Sequence, residues 1–100
     1  MLFRSDATRV LVARIHALVE RPLIAVDQEG GRVIRLPKPA THFPSAMAIG
    51  AAGSPEFAFQ AGQATAHELR ASRMNVALAP VLDVNNNRSE ERRVGKECRL

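Results

Sequence analysis

The stretch that decides the fold of this chain is residues 23–33, which read Leu23-Ile24-Ala25-Val26-Asp27-Gln28-Glu29-Gly30-Gly31-Arg32-Val33. Its first four residues are too few and too apolar for anything but a short buried strand. That strand ends at the carboxylate of Asp27, a glycine pair then turns the chain, and arginines follow at positions 32 and 35. In parallel α/β folds, ligands bind at this carboxyl edge of the strands. An acid and guanidinium groups there can hydrogen-bond a polyhydroxylated ligand such as a sugar, or Asp27 can cap the next element.

Helix and strand signals alternate on both sides of this stretch. Residues 1–4 resemble the end of a strand, and Ser5 or Asp6 can cap a helix over residues 7–20. Pro22 stops that helix before the strand begins. The sequence therefore predicts strand, helix and strand up to the glycine pair.

A long loop and a second helix are predicted next. Residues 37–54 are rich in proline, alanine and glycine, and a loop of this length in a compact domain is usually functional. The helix has a clear start signal: Ser54 as N-cap, Pro55 at the first helical position and Glu56 in the first turn. Small residues share one face that can approach a sheet closely: Ala58, Ala61, Gly62 and Thr65, with Leu69 beyond them.

A second buried strand is predicted over residues 75–84, with Asp83 at its end. The resulting order is βαβαβ, whose crossovers imply a parallel sheet. Acids at the carboxyl ends of two strands, Asp27 and Asp83, fit an α/β barrel with a site built from loops. A dinucleotide-binding fold fits less well, because Glu29-Gly30-Gly31-Arg32 is not G-x-G-x-x-G and no helix signal follows it immediately.

Composition excludes several classes of protein. With 100 residues, 46% hydrophobic and 24% charged, the chain is one globular domain at most. No apolar run reaches the roughly 18 residues of a membrane span, and the N-terminus lacks a signal-peptide segment, so we expect no membrane partner and favour a cytoplasmic location. The single cysteine forms no internal disulfide. No pair among His16, His42 and His67 has metal-ligand spacing, so we expect neither metal nor cofactor.

The net charge of +4 points to nucleic acid at first sight, but its distribution weakens that idea. Residues 88–100 hold five basic and three acidic residues, and the other 87 residues hold nine basic and seven acidic ones, so each part contributes +2. No aromatic stripe accompanies the basic charge, as a base-stacking surface requires, so we expect no nucleic-acid partner. A small basic interaction module acting through residues 88–99 remains as an alternative.

Four segments, in the same order along the chain, resemble glycoside hydrolase family 3 and, within it, the bacterial β-N-acetylhexosaminidases. The first is residues 23–36. The others are Phe43-Pro44-Ser45-Ala46-Met47, Glu68-Leu69-Arg70 and Asn75-Val76-Ala77-Leu78-Ala79-Pro80-Val81-Leu82-Asp83-Val84. The resemblance implies that residues 1–87 are an N-terminal fragment of a (β/α)8 TIM barrel, which needs about 250 residues when complete.

The resemblance also implies an activity and a site. The reaction is retaining hydrolysis of a terminal β-linked N-acetylhexosamine through a glycosyl-enzyme intermediate. Asp27 then accepts hydrogen bonds from hydroxyls of the terminal sugar, Arg35 is a second substrate-binding residue, Arg32 and Glu29 brace the loop, and Asp83 supports the site. The family's nucleophile and acid/base lie in later motifs that this sequence lacks, so we assign no catalytic residue and expect the chain alone to be inactive. A family 3 β-glucosidase or xylosidase is the closer alternative.

Two departures from the family pattern stand out. Arg73 occupies a position after the second helix where the family usually has glycine, which puts the helix-cap geometry in doubt. From Arg88 the family pattern stops, and residues 88–99 read RSEERRVGKECR. That string resembles the conceptual translation of a common sequencing adapter, so we predict a non-native, solvated tail over residues 88–100. A native charged helix or basic tail is the alternative.

Overall fold

The computed structural model describes the backbone of residues 2–83 and the side chains of residues 6–83. The elements, in chain order, are α1 (Leu2–Leu18), β1 (Ala25–Val26), α2 (Ala46–Ala51), α3 (Pro55–Ala71) and β2 (Val76–Ala77). The two strands pair in parallel, with Ala25 opposite Val76 and Val26 opposite Ala77. This part of the chain is therefore a mixed α/β structure with parallel pairing, as the sequence predicts.

The N-terminal segment corrects the sequence prediction. Residues 2–4 belong to α1, so the strand end predicted over residues 1–4 is wrong. Ser5 and Asp6 lie within the helix and do not cap it. A strand needs a neighbour for its backbone hydrogen bonds, and among residues 2–83 the only paired strands are β1 and β2. A helix satisfies those groups within its own segment.

Both strands are shorter than predicted. Strand pairing is limited to two residues on each side, flanked by hydrogen bonds from the N–H groups of Asn75 and Val76 to the Ile24 oxygen and from Leu78 N–H to the Val26 oxygen. Pro80 has no N–H to donate, which limits pairing after Leu78. Of the strand predicted over residues 75–84, the part up to residue 83 is therefore reduced to β2, and Val84 lies outside the described residues. Asp83 lies six residues beyond the end of β2.

One face of the strand pair is packed and the other is open. In β1 and just before it, the half-buried Val26 and Ile24 pack against the core, whereas the side chain of Leu23 is 85% exposed. Residues from α1, the loop after β1, α3 and the segment before β2 form that core: Val12, Leu36, Leu69 and Met74. On the open side of β2, Leu78 is 55% exposed. The helices thus cover a single face of the sheet.

The segment predicted as a loop over residues 37–54 contains helix α2, so that prediction is wrong over residues 46–51. Ser45 is the N-cap of α2, and its side chain accepts a hydrogen bond from the Ala48 N–H at 3.3 Å. Serine is a preferred N-cap, and three of the six residues of α2 are alanine, the best helix former. These local preferences outweigh the turn signals of the neighbouring prolines and glycines.

The second predicted helix is confirmed as α3. The Ser54 side chain accepts a hydrogen bond from the Phe57 N–H at 3.2 Å, Pro55 is the first helical residue and Glu56 lies in the first turn.

The C-terminal end of α3 has a Schellman geometry in spite of the missing glycine. Arg73 has φ of 59°, its N–H donates to the Arg70 oxygen at 2.9 Å, and the Met74 N–H donates to the Leu69 oxygen at 2.9 Å. Met74 and Leu69 also belong to the same hydrophobic cluster, as is usual for this motif. The chain therefore keeps the cap with arginine in a left-handed conformation, at a cost of about 1 kcal/mol relative to glycine.

Candidate functional site

The candidate site begins at the carboxyl end of β1. Asp27 follows Val26, the last residue of β1, and its carboxylate is exposed. Side chains alternate between faces along a strand, so Asp27 shares the open face of Leu23 and Ala25 rather than the packed face. The predicted position of Asp27 is thus met in the structure. Asp83 is also exposed but is separated from its strand.

A tight turn follows Asp27 and is closed by backbone hydrogen bonds. The N–H groups of Glu29 and Gly30 donate to the Val33 oxygen at 3.0 and 3.2 Å, and the Val33 N–H donates back to the Gly30 oxygen at 3.2 Å. Gly30 and Gly31 have φ of 87° and 62°, in the left-handed region that favours glycine. The predicted glycine turn is confirmed.

The glycine pair also lets a second loop approach. The Gly31 N–H donates to the Phe43 oxygen at 2.8 Å, and a Cβ built on Gly30 would lie 2.5 Å from the Pro44 oxygen. A side chain at either glycine would push away the segment that precedes α2. The glycines therefore serve a close backbone contact as well as a turn.

Gln28, which precedes the glycine turn, hydrogen-bonds the backbone of Arg35 and Leu36, which follow it. It is the one polar residue among the described side chains that is buried, at 7% exposure. Its Oε1 accepts two hydrogen bonds, from the backbone N–H of Arg35 at 2.9 Å and from that of Leu36 at 3.0 Å. Sequence reasoning assigned the bracing of this loop to Arg32 and Glu29 and missed Gln28. The alternation of Ile24, Val26 and Gln28 on the packed face was the available signal.

The result is an exposed acid and an exposed base at the two ends of one closed loop. The side chains of Asp27 and Arg35 are both exposed, and neither has a hydrogen-bond partner within residues 6–83. A carboxylate accepts hydrogen bonds and a guanidinium donates up to five, so together they match the mixed donors and acceptors of a hydroxylated ligand.

Glu68 fixes the loop between the turn and α2. Both of its carboxylate oxygens accept from the Thr41 N–H, at 2.9 and 3.1 Å, and Oε1 also accepts from the Thr41 hydroxyl at 2.6 Å. Hydrogen bonds to an ionised carboxylate are stronger than neutral ones. The loop that contacts Gly31 is therefore tied to α3.

An open cavity of about 860 Å³ lies beside this loop cluster. The small-residue face of α3 borders it, and of that face only Ala61 and Leu69 are buried. The predicted close packing of α3 is thus limited to those two residues. Gln28, Glu29 and Gly30 also line the cavity, whereas neither Asp27 nor Arg35 does. The predicted ligand-binding residues and this mainly apolar cavity are distinct features.

The histidines take ordinary structural or surface positions. The His16 Nε2 lies 2.9 Å from the Arg73 oxygen, and His42 and His67 are exposed. Within residues 6–83, no group of three or more His, Cys, Asp and Glu side chains could hold a metal ion. No helix in the same part of the chain is long and apolar enough to cross a membrane.

Comparison with known proteins places the chain in a family. The model of the glycosyl hydrolase family 3 N-terminal domain matches residues 4–97. The chain belongs to glycosyl hydrolase family 3. The resemblance carried by the four sequence segments is thereby confirmed. The matched range also includes most of the predicted non-native tail, which lies outside the described residues.

Several similar proteins share the name Beta-hexosaminidase. A Beta-hexosaminidase of Pseudomonas aeruginosa strain LESB58 is 42% identical over 84 residues, covering 81% of this chain and 25% of the relative. One from Nitrosospira multiformis is 40% identical over 86 residues, covering 79% and 25%, and one from Thioalkalivibrio sulfidiphilus is 43% identical over 81 residues, covering 74% and 23%. The chain therefore spans about a quarter of the length of these relatives. No solved structure matches it significantly.

The family 3 segments contact one another in the structure. The first meets the second through Gly31 and Phe43. It meets the last through Asn75, whose Oδ1 accepts from the Ile24 N–H at 2.8 Å and whose Nδ2 donates to the adjoining Pro22 oxygen at 2.9 Å. Glu68, in the third segment, anchors the loop that carries the second. Hydrogen bonds thus join the four segments that carry the resemblance, directly or through the loop that holds Thr41.

Proposed function

We propose that this chain supplies part of the sugar-binding site of a retaining β-N-acetylhexosaminidase. The relatives named Beta-hexosaminidase, at 40–43% identity, support this substrate class within family 3. The observation that carries the proposal is the position of Asp27, exposed at the carboxyl end of a parallel strand and followed by a loop that returns to Arg35. Asp27 accepts hydrogen bonds from hydroxyls of the terminal sugar, and Arg35 donates hydrogen bonds to the same sugar.

The parent fold proposed here is a (β/α)8 barrel of which the chain is the early part. Parallel sheets are normally covered on both faces, yet here Leu23 and Leu78 leave one face apolar and open. Further strands of a barrel would turn that face inward and cover it. Asp27 shares this face and would then point toward the mouth of the barrel, where barrel enzymes bind their substrates.

The chain would bind sugar without performing the reaction. Retaining hydrolysis needs one carboxylate to attack the anomeric carbon and an acid/base group to protonate the leaving oxygen and later activate water. We assign neither role to Asp27 or Asp83, because the motifs that carry those groups in family 3 are missing from the sequence. Residues 1–87 are the native part in this proposal, and residues 88–100 are a solvated non-native tail.

Extending the reading frame in the source DNA and assaying the full-length enzyme tests the substrate class. Three aryl glycosides are compared: the β-N-acetylglucosaminide, the β-glucoside and the β-xyloside. The proposal predicts the highest kcat/KM for the N-acetylglucosaminide. A preference for the glucoside or xyloside would place the enzyme in another branch of family 3. If the enzyme hydrolyses none of the three glycosides, the proposal is overturned.

A further inference from the structure

We propose that Gln28 is a positioning residue that sets the location of Arg35 relative to Asp27. The inference rests on the proposed function, since it assumes that Arg35 binds the sugar. It concerns a residue that itself faces the protein interior and is not expected to contact substrate.

The backbone after β1 places Gln28 next to Asp27. Its neighbour Asp27 lies on the open face of β1, whereas Gln28 is buried on the packed face. Asp27 and Gln28 are the two residues that directly follow β1, so the Gln28 side chain is held next to Asp27 by the backbone at the end of the strand.

The Gln28 side chain binds the backbone of Arg35 and Leu36. A single oxygen, Oε1, accepts from two consecutive backbone N–H groups, those of Arg35 and Leu36, at 2.9 and 3.0 Å. Leu36 is only 4% exposed and belongs to the hydrophobic cluster. Two hydrogen bonds to one rigidly buried acceptor fix the backbone of Arg35, from which the exposed guanidinium extends.

Within residues 6–83, the other hydrogen bonds of this loop do not involve Arg35. The backbone bonds of the turn join Glu29 and Gly30 to Val33, and the contact with the next loop is made by Gly31. Without the Gln28 oxygen, the N–H groups of Arg35 and Leu36 would need water as their hydrogen-bond acceptor, next to a packed core. The segment would then shift, and the Arg35 guanidinium would leave the position from which it donates to the sugar, which weakens binding of the sugar.

The test uses a hybrid enzyme, in which residues 1–87 of this chain replace the matching segment of the Pseudomonas aeruginosa relative. Gln28→Met keeps the length and burial of the side chain but removes the acceptor, and Gln28→Glu keeps an acceptor at the same place. Gln63→Met, at an exposed position of α3, is the matched control. Each variant is made alone and with Arg35→Ala, and KM and kcat are measured with an aryl β-N-acetylglucosaminide.

We expect Gln28→Met to raise KM about as much as Arg35→Ala does, with little change in kcat, because uniform binding of the sugar is lost. Gln28→Glu should restore KM, and Gln63→Met should leave it unchanged. In the Arg35→Ala background, Gln28→Met should have no further effect, since the group that it positions is already absent. If Gln28→Met does not fold, Gln28→Asn takes its place, because the shorter amide cannot reach both N–H groups.

Two results would overturn the positioning role of Gln28. One of them leaves the proposed sugar-binding function intact, and the other also removes the role of Arg35 in sugar binding. If Arg35→Ala raises KM but the effect of Gln28→Met is absent or simply additive, Gln28 is a structural brace and the proposed function stands. If Arg35→Ala itself leaves KM unchanged, the sugar-binding role of Arg35 fails and the positioning role fails with it.

Discussion

The backbone N–H of Gly31 donates a 2.8 Å hydrogen bond to the carbonyl oxygen of Phe43, which joins the turn after β1 to the loop before α2. The contact is possible because neither Gly30 nor Gly31 carries a side chain on the side that faces residues 43–45. The loop between Asp27 and Arg35 is thus held by the segment before α2 as well as by Gln28.

Gly30→Ala should therefore destabilise the hybrid enzyme. The new Cβ would lie 2.5 Å from the Pro44 oxygen, and φ of 87° is unfavourable for any side chain. We expect a loss of roughly 1–3 kcal/mol, measured by chemical unfolding. Gly62→Ala is the control, because its Cβ meets nothing within 4 Å and it lies in the interior of α3. Gly62→Ala should raise the free energy of unfolding by about 0.5–1 kcal/mol. Equal effects of the two substitutions would contradict the close contact between Gly30 and Pro44.

Arg73→Gly should stabilise the hybrid enzyme. Arginine is strained at φ of 59°, and glycine relieves this at the cost of a more flexible unfolded chain, leaving a net gain of about 0.5 kcal/mol. Arg70→Gly, inside α3, should instead cost about 1 kcal/mol. Paired denaturant titrations measure both, and a destabilising Arg73→Gly would argue against the left-handed cap.

The 100-residue chain by itself should expose apolar surface and unfold with little cooperativity. Leu23 and Leu82 are 85% and 84% exposed, and one sheet face is uncovered. We expect strong binding of a hydrophobic dye, self-association in sizing chromatography and no turnover of an aryl β-N-acetylglucosaminide. A monomer with a sharp two-state transition would mean that these residues form a complete domain.

Truncation after Asn87 should leave solubility and sugar binding unchanged. Between Arg88 and Arg99 the only aliphatic residue is Val94, so the segment cannot bury enough surface to offset its ordering entropy. The codons of residues 88–99 should match adapter sequence, whereas the upstream codons should not. Native codon usage that continues into a longer open frame would support the basic-tail alternative.

Local signals predicted the elements with strong end markers. Ser54 and Pro55 set the start of α3, the glycine pair set the turn, and parallel pairing followed from the order of helix and strand. Residues 1–4 were predicted to be the end of a strand, whereas residues 2–4 lie in α1 in the structure. Strand length was overestimated because pairing depends on neighbours, which single-chain patterns do not reveal.

The sequence named the exposed residues of the candidate site, and it missed the residues that support the loop between them. Residue type and position after a strand singled out Asp27, Arg32 and Arg35. The resemblance then favoured Asp27 and Arg35 as ligand-binding residues, and both are exposed in the structure. Gln28 and the Thr41–Glu68 contact depend on tertiary hydrogen bonds between segments that no spacing rule connects. The resemblance supplied the roles, and the structure supplied the contacts that hold the loop.

The most direct test of the account is the effect of Asp27→Ala on the hybrid enzyme. A carboxylate that accepts hydrogen bonds from sugar hydroxyls contributes roughly 1.5–3 kcal/mol, so kcat/KM should fall by on the order of tenfold to a hundredfold. Asp6→Ala, an exposed acid on α1, is the control and should have no effect. A loss of this size with unchanged thermal stability is the predicted result. Unchanged kcat/KM in a folded Asp27→Ala enzyme would reduce Asp27 to a cap of the turn and contradict the account.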